Sequence, residues 1–311
     1  EQLGESHWFL RMLRDSAGAA KRLTQVLSGS RYVSDLMELI PESAAWFDGD
    51  VELAPTPQEV LEAEVLAILA RHHEDDDAAR KAVRSMRRRE VLRLAIGGIL
   101  GVVTIDQISQ GLSDVTTAAL NGYLGIALRE AEHNPEFAVI AMGRYGGQEL
   151  GFDSDADVIY VYRPTAECSG EQAQKRAERI VLRIKELVED PRLPFDIDTD
   201  LRPEGKNGAI ARSLDSYAAY YARWSLMWRS SALAKSSVAI SGLSTMPACR
   251  ASRLRTSAES STTTTVIFCM PRLNGVRTGR PSRRRWIAPR WRRCRRVPGF
   301  RVCPDASVPA A

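Results

Sequence analysis

The sequence predicts an α+β fold in which an all-helical segment precedes a small domain built on a β-sheet. Three observations predict this order. Apolar residues recur at helical spacing through the first 135 residues, two short apolar runs joined by a glycine-rich loop follow, and any sustained period is lost after residue 230. The chain has 311 residues, of which 44% are hydrophobic and 26% charged, so it is long enough for two globular domains.

The first predicted helices lie between residues 8 and 73. Apolar residues recur at helical spacing from Trp8 to Leu27 and again from Val33 to Ile40. A proline-rich break over residues 53–57 leads into a strong helix over Gln58–His73, which the acidic residues 74–77 end. This part is therefore predicted as short helices followed by one regular amphipathic helix.

Two longer helices follow. The basic run Arg84–Arg89 opens a helix that continues to Leu100, and Gly101 closes it. Thr104 has the side chain of an N-cap residue and begins a long helix that runs from Ile105 to about Glu132.

The sheet domain is predicted to contain a hairpin, a helix, a further strand and a closing helix. The predicted elements are, in order, strand Phe137–Met142, the glycine-rich loop Gly143–Ser154, strand Val158–Tyr162, helix Glu171–Glu189, strand Phe195–Leu201 and helix Leu214 to about Arg229. The last strand alternates apolar and acidic residues, so one of its faces carries carboxylates.

Charge divides the chain into unlike parts. The net charge of +4 is the sum of about −10 over residues 1–230 and about +14 over residues 231–311. The predicted domains are a helical segment over residues 1–103, the sheet domain over residues 104–230, and a basic tail over residues 231–311. The tail has no apolar period and is predicted to be unstructured.

The predicted compartment is the cytoplasm. No run approaches the roughly 18 to 20 apolar residues of a membrane helix, so a membrane-spanning protein is excluded. The N-terminal residues show no basic region followed by an apolar one, which predicts no signal peptide. Residues 1–230 contain a single cysteine, Cys168, as suits a reducing compartment.

Aspartates are spaced for metal binding at the start of the second strand of the hairpin. Asp155 and Asp157 are two residues apart, so both side chains leave the same face of the strand and can hold one hard cation. The later strand offers a third carboxylate from Asp196, Asp198 or Asp200. Three converging carboxylates can hold two Mg²⁺ about 3.5 to 4 Å apart for attack on a phosphate.

The glycine-rich loop ahead of this pair suits a triphosphate. Residues 143–147, Gly-Arg-Tyr-Gly-Gly, permit close approach of the backbone and offer amide groups to phosphate oxygens. The order of loop, Asp-x-Asp strand, helix and acidic strand predicts nucleotidyl transfer. Taken singly, a solvated turn at Asp155 and an edge strand with a wet acidic face remain the alternatives.

Two stretches of the sequence together resemble one enzyme family. Residues 137–162, FAVIAMGRYGGQELGFDSDADVIYVY, contain the pattern G-x-x-G-G-x-E-L-x-x-x-S-D-x-D, and residues 198–223, DTDLRPEGKNGAIARSLDSYAAYYAR, begin with D-x-x-L-R-P-x-G. Both patterns resemble those of the glutamine synthetase adenylyltransferases, and the similarity covers about residues 8–230. The resemblance implies a DNA polymerase beta-like nucleotidyltransferase domain, which these enzymes carry twice in a long chain.

The resemblance assigns roles to the carboxylates. Asp155 and Asp157 match the metal-binding pair, and Asp198 takes the place of the third catalytic carboxylate. Asp200 occupies a variable position and is left out.

The resemblance also assigns a phosphate side to the site. Gly146, Gly147 and Ser154 match the loop that faces the nucleotide, and Glu149 is interpreted as stabilising this loop. Three cations are candidates for triphosphate contacts, with solvated or salt-bridged loop cations as the alternative: Arg144, Arg202 and Lys206.

The activity that the resemblance implies is Mg²⁺-dependent transfer of AMP from ATP to a tyrosine of glutamine synthetase, which regulates nitrogen assimilation. Glutamine and a PII-type signalling protein are the implied effectors. The SDAD sequence at 154–157 and YYARWS at 220–225 favour the C-terminal, adenylylating copy of actinobacterial members. The phosphorolytic, de-adenylylating copy and a catalytically inactive nucleotide-binding regulatory fragment remain the alternatives.

The family pattern is lost after Trp228, where arginine, serine and cysteine increase together. This change predicts a shifted reading frame in a GC-rich gene, and the chain would then lack the helical bundle that the resemblance implies behind the catalytic sheet. The alternative is an arginine-rich arm over Arg283–Arg301, whose Trp286 and Trp291 could stack on bases. The frameshift is the favoured interpretation, so no nucleic-acid partner is expected.

Overall fold

The structure is a computed structural model that describes residue 11, residues 14–224 and residues 265–268 of the chain. These residues form helices and one mixed sheet, which confirms the α+β class. The helices are α1 (Ala17–Gly29), α2 (Arg31–Met37), α3 (Gln58–Arg71), α4 (Asp76–Ile99), α5 (Ile105–Ala127), α6 (Gly143–Gly146), α7 (Gly170–Val188) and α8 (Leu214–Trp224). The strands are β1 (Glu136–Ala141), β2 (Ala156–Arg163), β3 (Ile197–Asp198), β4 (Ala211–Ser213) and β5 (Thr265–Phe268).

Helix α4 begins earlier than the sequence predicted. The Asp75 side chain accepts a hydrogen bond from the Ala78 amide at 2.9 Å and caps the helix, while Asp76 and Asp77 lie in its first turn. Carboxylates are favoured there because the helix dipole is positive at its N-terminus. The acidic residues that were expected to end the preceding helix therefore start this one.

The start of helix α5 was predicted correctly. Thr104 is its N-cap and forms a capping box with Gln107, whose amide donates to the Thr104 Oγ1 at 3.3 Å. The helix ends at Ala127, earlier than predicted, and a 3-10 turn over Leu128–Glu130 follows.

The sheet is centred on the predicted hairpin. Strands β1 and β2 pair antiparallel, and β2 pairs parallel with β3 near its start and with β4 near its end. Strand β5 pairs parallel with the other edge of β1. The strand order is thus β3-β2-β1-β5, with β4 also beside β2.

The structure differs from the predicted sheet domain in three ways and adds one strand from the tail. The predicted loop after β1 contains the short helix α6, and β4 was not predicted. The acidic strand expected over Phe195–Leu201 is reduced to the two residues of β3, because a turn at Asp198 ends it. In the tail predicted to be unstructured, Thr265–Phe268 form a strand, as suits four residues dominated by β-branched and aromatic side chains. The rest of the tail lies outside the described residues.

The two faces of the sheet are covered unequally. On one face, Val158 and its neighbours belong to a continuous core shared with the long helices. On the other face, Ile159 packs against Tyr217 and Tyr221 of α8. The core therefore continues across residue 103, and the predicted domain boundaries at residues 103 and 230 stay predictions.

Within the described residues, no helix is both long enough and apolar enough to cross a membrane.

Candidate active site

Three carboxylates converge at the start of β2. Asp157 lies opposite Asp198 in the register of β2 and β3, and Asp155 precedes β2 by one residue. One carboxylate oxygen from each of Asp155, Asp157 and Asp198 lies within 4.8 Å of the others. We call these residues the carboxylate triad. The structure thus brings together the three aspartates that the sequence singled out.

The triad lies on the more open face of the sheet. Residues 157 and 159 share a face of β2, and Ile159 is covered by α8. Ala156 points the other way, into the core shared with the helices. The carboxylates are therefore half-exposed, although the strand that holds them is anchored in the main core.

Gly143 leaves room for the Asp157 carboxylate. It has a φ of +52°, and a Cβ added there would overlap the Asp157 Oδ2. A side chain at position 143 would therefore meet backbone strain and a clash at the triad. The glycine at the start of the predicted phosphate loop is explained by this close approach.

Electrostatic repulsion is built into the triad. Burial raises the pKa of the Asp157 carboxyl above its ordinary value, and the negative charges of Asp155 and Asp198 raise it further, against a smaller opposite effect of Arg144. A divalent cation would relieve this repulsion, and carboxylate oxygens are the ligands that Mg²⁺ prefers. The residues present therefore fit a divalent metal.

Asp198 is held by a turn of its own. Its Oδ1 accepts a hydrogen bond from the Asp200 amide at 2.7 Å, an Asx turn that ends β3. The Asp200 carboxylate lies 3.5 Å from Arg202 and 3.4 Å from Lys206. Asp200 is therefore part of the loop after the triad.

The amide groups of the predicted phosphate loop are used locally. The Gly146 amide donates to the Met142 carbonyl at 2.6 Å, and the Gly147 amide donates to the Gly143 carbonyl at 3.1 Å. A Cβ at Gly146 would come within 2.5 Å of the Ala141 carbonyl oxygen, so this glycine lets α6 pack on β1. The phosphate-binding role of Gly146 and Gly147 stays a prediction.

Ser154 braces the turn that leads into β2. Its Oγ accepts a hydrogen bond from the Gly151 amide at 3.0 Å. Ser154 and Ala156 line a cavity of about 110 Å³ that also touches Arg87 and Phe195. None of the three triad residues lines this cavity.

The three candidate phosphate-binding cations differ in their surroundings. Arg144 has a side chain 62% exposed and lies 3.8 Å from Asp155, while the Lys206 side chain is 84% exposed. The Arg202 side chain is only 8% exposed, and its guanidinium donates to the carbonyls of Thr199, Lys206 and Gly208. The geometry favours a loop-bracing role for Arg202 and leaves Arg144 and Lys206 accessible to a ligand.

Comparison of the sequence with known proteins identifies a family. A family model described as glutamate-ammonia ligase adenylyltransferase matches residues 20–249, which is most of the chain. The chain belongs to this family. The match includes the complete triad and extends past the predicted boundary at residue 230.

Three relatives of the glutamate-ammonia ligase adenylyltransferase family show how much is shared. All three are named bifunctional glutamine synthetase adenylyltransferase/adenylyl-removing enzyme. The one from Leifsonia xyli is 56% identical over 236 residues, covering 75% of this chain and 23% of the relative. Those from Cutibacterium acnes and Streptomyces coelicolor are each 40% identical, over 76% and 75% of this chain and 24% and 25% of the relatives. The chain thus spans about a quarter of the length of these relatives.

Sequence reasoning missed a second set of polar residues in this family member. Four arginines of α4 contact the segment that leads from α7 to β3, and they are Arg80, Arg84, Arg87 and Arg88. The signal was their spacing, since residues 80, 84, 87 and 88 lie on one face of a helix. From the sequence alone, the basic run predicted only the start of a helix.

Proposed function

We propose that this chain carries a nucleotidyltransferase site of the DNA polymerase beta-like kind, which transfers AMP from ATP to a tyrosine of glutamine synthetase. The observation that carries the proposal is the convergence of Asp155, Asp157 and Asp198 within 4.8 Å. The 56% identity to an enzyme named for glutamine synthetase adenylylation supports the choice of acceptor.

The triad would hold two Mg²⁺. Bound there, the metal ions would neutralise charge on the phosphates during transfer. The raised pKa of Asp157 supports this role, because it reflects repulsion between the carboxylates. A bound cation would relieve that repulsion, which isolated and solvated carboxylates do not have. The tyrosine hydroxyl would lose its proton to solvent and its oxygen would bond to the α-phosphorus, as the bond from the α-phosphorus to the bridging oxygen of the β-phosphate breaks and pyrophosphate leaves.

Cations near the triad would position the triphosphate. Arg144 lies beside Asp155 with most of its side chain in solvent, so it can reach a phosphate oxygen at the triad. Lys206 is more exposed and lies farther along the loop after β3. We assign the stronger contact to Arg144.

The proposal includes the direction of the reaction and its context. The sequence at residues 154–157 and 220–225 favours the C-terminal, adenylylating copy, which would act in the cytoplasm under control of glutamine and a PII-type protein. Phosphorolytic removal of AMP is the opposite direction at the same kind of site. A regulatory fragment would bind nucleotide without transfer.

The test is incorporation of labelled AMP from α-³²P-ATP into glutamine synthetase, with a tyrosine-to-phenylalanine acceptor as control. Transfer that needs Mg²⁺ and the acceptor tyrosine is expected. Phosphate-dependent release of ADP from adenylylated glutamine synthetase, without transfer, would instead assign the de-adenylylating direction. Binding of ATP and Mg²⁺ with neither reaction would identify a regulatory fragment and overturn the proposal.

A further inference from the structure

Arginines on one face of helix α4 form hydrogen bonds and an ion pair with the segment that leads into β3. Arg80 donates to the carbonyls of Glu186, Leu187 and Glu189 at the end of α7. Arg88 forms a two-pronged ion pair with Asp190, with Nε and Oδ2 at 2.8 Å. The helical segment thus holds the main chain between α7 and β3 at several successive points.

Arg87 makes the contact nearest to the triad. Its two terminal nitrogens donate to the Leu193 carbonyl at 2.8 Å and to the Pro194 carbonyl at 2.9 Å. Its guanidinium also lies 4.3 Å from the centre of the Phe195 ring. Three consecutive residues are therefore fixed by one side chain.

The segment that Arg87 contacts leads directly to Asp198 of the triad. The Asp196 carbonyl accepts a hydrogen bond from the Ala156 amide at 2.8 Å, and Ile197 and Asp198 then form β3 beside β2. Only three residues lie between Pro194 and Asp198. A strand of two residues has too few ladder hydrogen bonds to fix a catalytic side chain unaided.

Arg87 is placed for main-chain contacts rather than for charge pairing. Among the described residues, no carboxylate oxygen forms a salt bridge with it within 4.0 Å, although Arg88 beside it has one with Asp190. Burial lowers the pKa of Arg87, which reflects the cost of removing its charge from water. The two carbonyls and the aromatic ring are the groups that offset this cost.

We propose that Arg87 is a positioning residue for Asp198, through which the helical segment sets the metal affinity of the triad. This inference rests on the proposed function, because it assumes that the triad binds a divalent cation. Loss of the Arg87 contacts would free residues 193–196 and let Asp198 move relative to Asp155 and Asp157. The helical segment is then part of the active site, although it contributes no ligand.

The chain offers a matched control in Arg129. Its terminal nitrogens donate to the carbonyls of His72 and Leu69 at 3.0 and 2.7 Å, the same two-carbonyl geometry as in Arg87. These carbonyls lie at the end of α3, and neither belongs to the segment that carries Asp198. Arg129 also pairs with the Asp76 carboxylate at 3.1 Å, so Arg129→Ala removes at least as much structural contact as Arg87→Ala, at a place away from the segment that carries Asp198.

The experiment measures Mn²⁺ binding by calorimetry and amide hydrogen exchange in metal-free protein, for the whole chain and its variants. Arg87→Ala should weaken Mn²⁺ binding at least about tenfold, as expected when support for a metal ligand is lost. It should also speed exchange over residues 195–198. Arg87→Lys, which can reach one carbonyl, should give an intermediate loss, and Arg129→Ala should change Mn²⁺ affinity less than about twofold.

Two results would overturn the proposal. One is a folded Arg87→Ala or Arg87→Lys variant that binds Mn²⁺ as tightly as the unaltered protein. The other is an equal loss of affinity in Arg87→Ala and Arg129→Ala at equal loss of thermal stability. If the unaltered protein binds no Mn²⁺, the proposed function fails instead, and the exchange comparison alone then decides whether Arg87 fixes β3.

Discussion

Acidic side chains lie in opposite electrostatic surroundings at the carboxylate triad and at the arginine face of α4, which is the face that carries Arg80, Arg84, Arg87 and Arg88. At the triad, burial and two neighbouring negative charges raise the pKa of Asp157. At the arginine face, burial alone would raise the pKa of Asp190, but hydrogen bonds from Arg88 and from the Arg192 amide hold it below its ordinary value. The negative charges of the triad are thus only partly compensated by nearby cations, whereas the charge of Asp190 is compensated by the protein itself.

The largest effect is expected at the triad. Asp157→Asn should lower AMP transfer about a thousandfold, because a charged metal ligand contributes several kcal/mol to transfer. The fold should stay intact by circular dichroism. Asp200→Asn is the control and should cost less than about tenfold, since this carboxylate only pairs with loop cations. An equal loss at both positions would show that Asp200 was wrongly left out of the site.

The next effect is expected at the arginine face. Asp190→Asn should lower the free energy of unfolding by about 3 to 5 kcal/mol, because it leaves a shielded arginine without its partner. Urea denaturation measures this loss. Glu171→Gln, in an exposed pair with Lys175, should change stability by less than about 1 kcal/mol.

The Asp190 effect should also depend on pH. A carboxyl with a lowered pKa in the folded state stabilises the fold above its unfolded pKa of about 3.9, and this contribution is lost as the pH falls through the folded value. The difference between Asp190→Asn and the unaltered protein should therefore shrink in acid. A difference that stays constant down to low pH would contradict the charge-pair explanation.

A smaller effect tests how far the region around the triad depends on its contact with helix α5. The Tyr145 hydroxyl lies 2.9 Å from the Thr117 Oγ1 of α5, in the core. Tyr145→Phe should cost about 1 kcal/mol of stability. Tyr160→Phe is the matched variant, because the Tyr160 hydroxyl has no hydrogen-bond partner among the described residues, and it should be neutral or stabilising. Equal losses in the two variants would show that the hydrogen bond does not matter.

The smallest effect is a gain in stability. In metal-free protein at neutral pH, Asp157→Asn should raise the urea midpoint slightly, because it removes a charge that the fold disfavours. The gain should disappear as the pH falls below about 3.9, where the carboxyl is protonated in both folded and unfolded states. A lower midpoint at neutral pH would mean that the triad is not under electrostatic repulsion.

The sequence predicted the features that depend on local pattern. The N-cap at Thr104, the hairpin of β1 and β2, and the aspartate pair at the start of β2 follow from spacing and from residue type. The convergence of Asp198 with this pair was expected from the order of the elements and from the family resemblance. Its close approach depends on a parallel pairing of only two residues.

Features that depend on tertiary contacts were missed. The length of β3 is set by the turn at Asp198, and alternation of apolar and acidic residues could not indicate where this turn falls. The burial of the Arg202 side chain among loop carbonyls is not visible in the sequence either, which is why a phosphate contact and a loop cation stood as alternatives there. The partners of the α4 arginines lie too far along the chain for any local pattern to identify them.

These arginine contacts also bear on the order in which the protein can fold as it is made. Arg80 and its acceptor Glu186 are 106 residues apart in the chain. At a synthesis rate of about 5 to 20 residues per second, helix α4 would wait roughly 5 to 20 s on the ribosome before these acceptors emerge. During that interval the arginines of α4 lack the carbonyl groups to which they donate hydrogen bonds in the folded protein. Their positive charges are then exposed to ribosomal RNA and to chaperones.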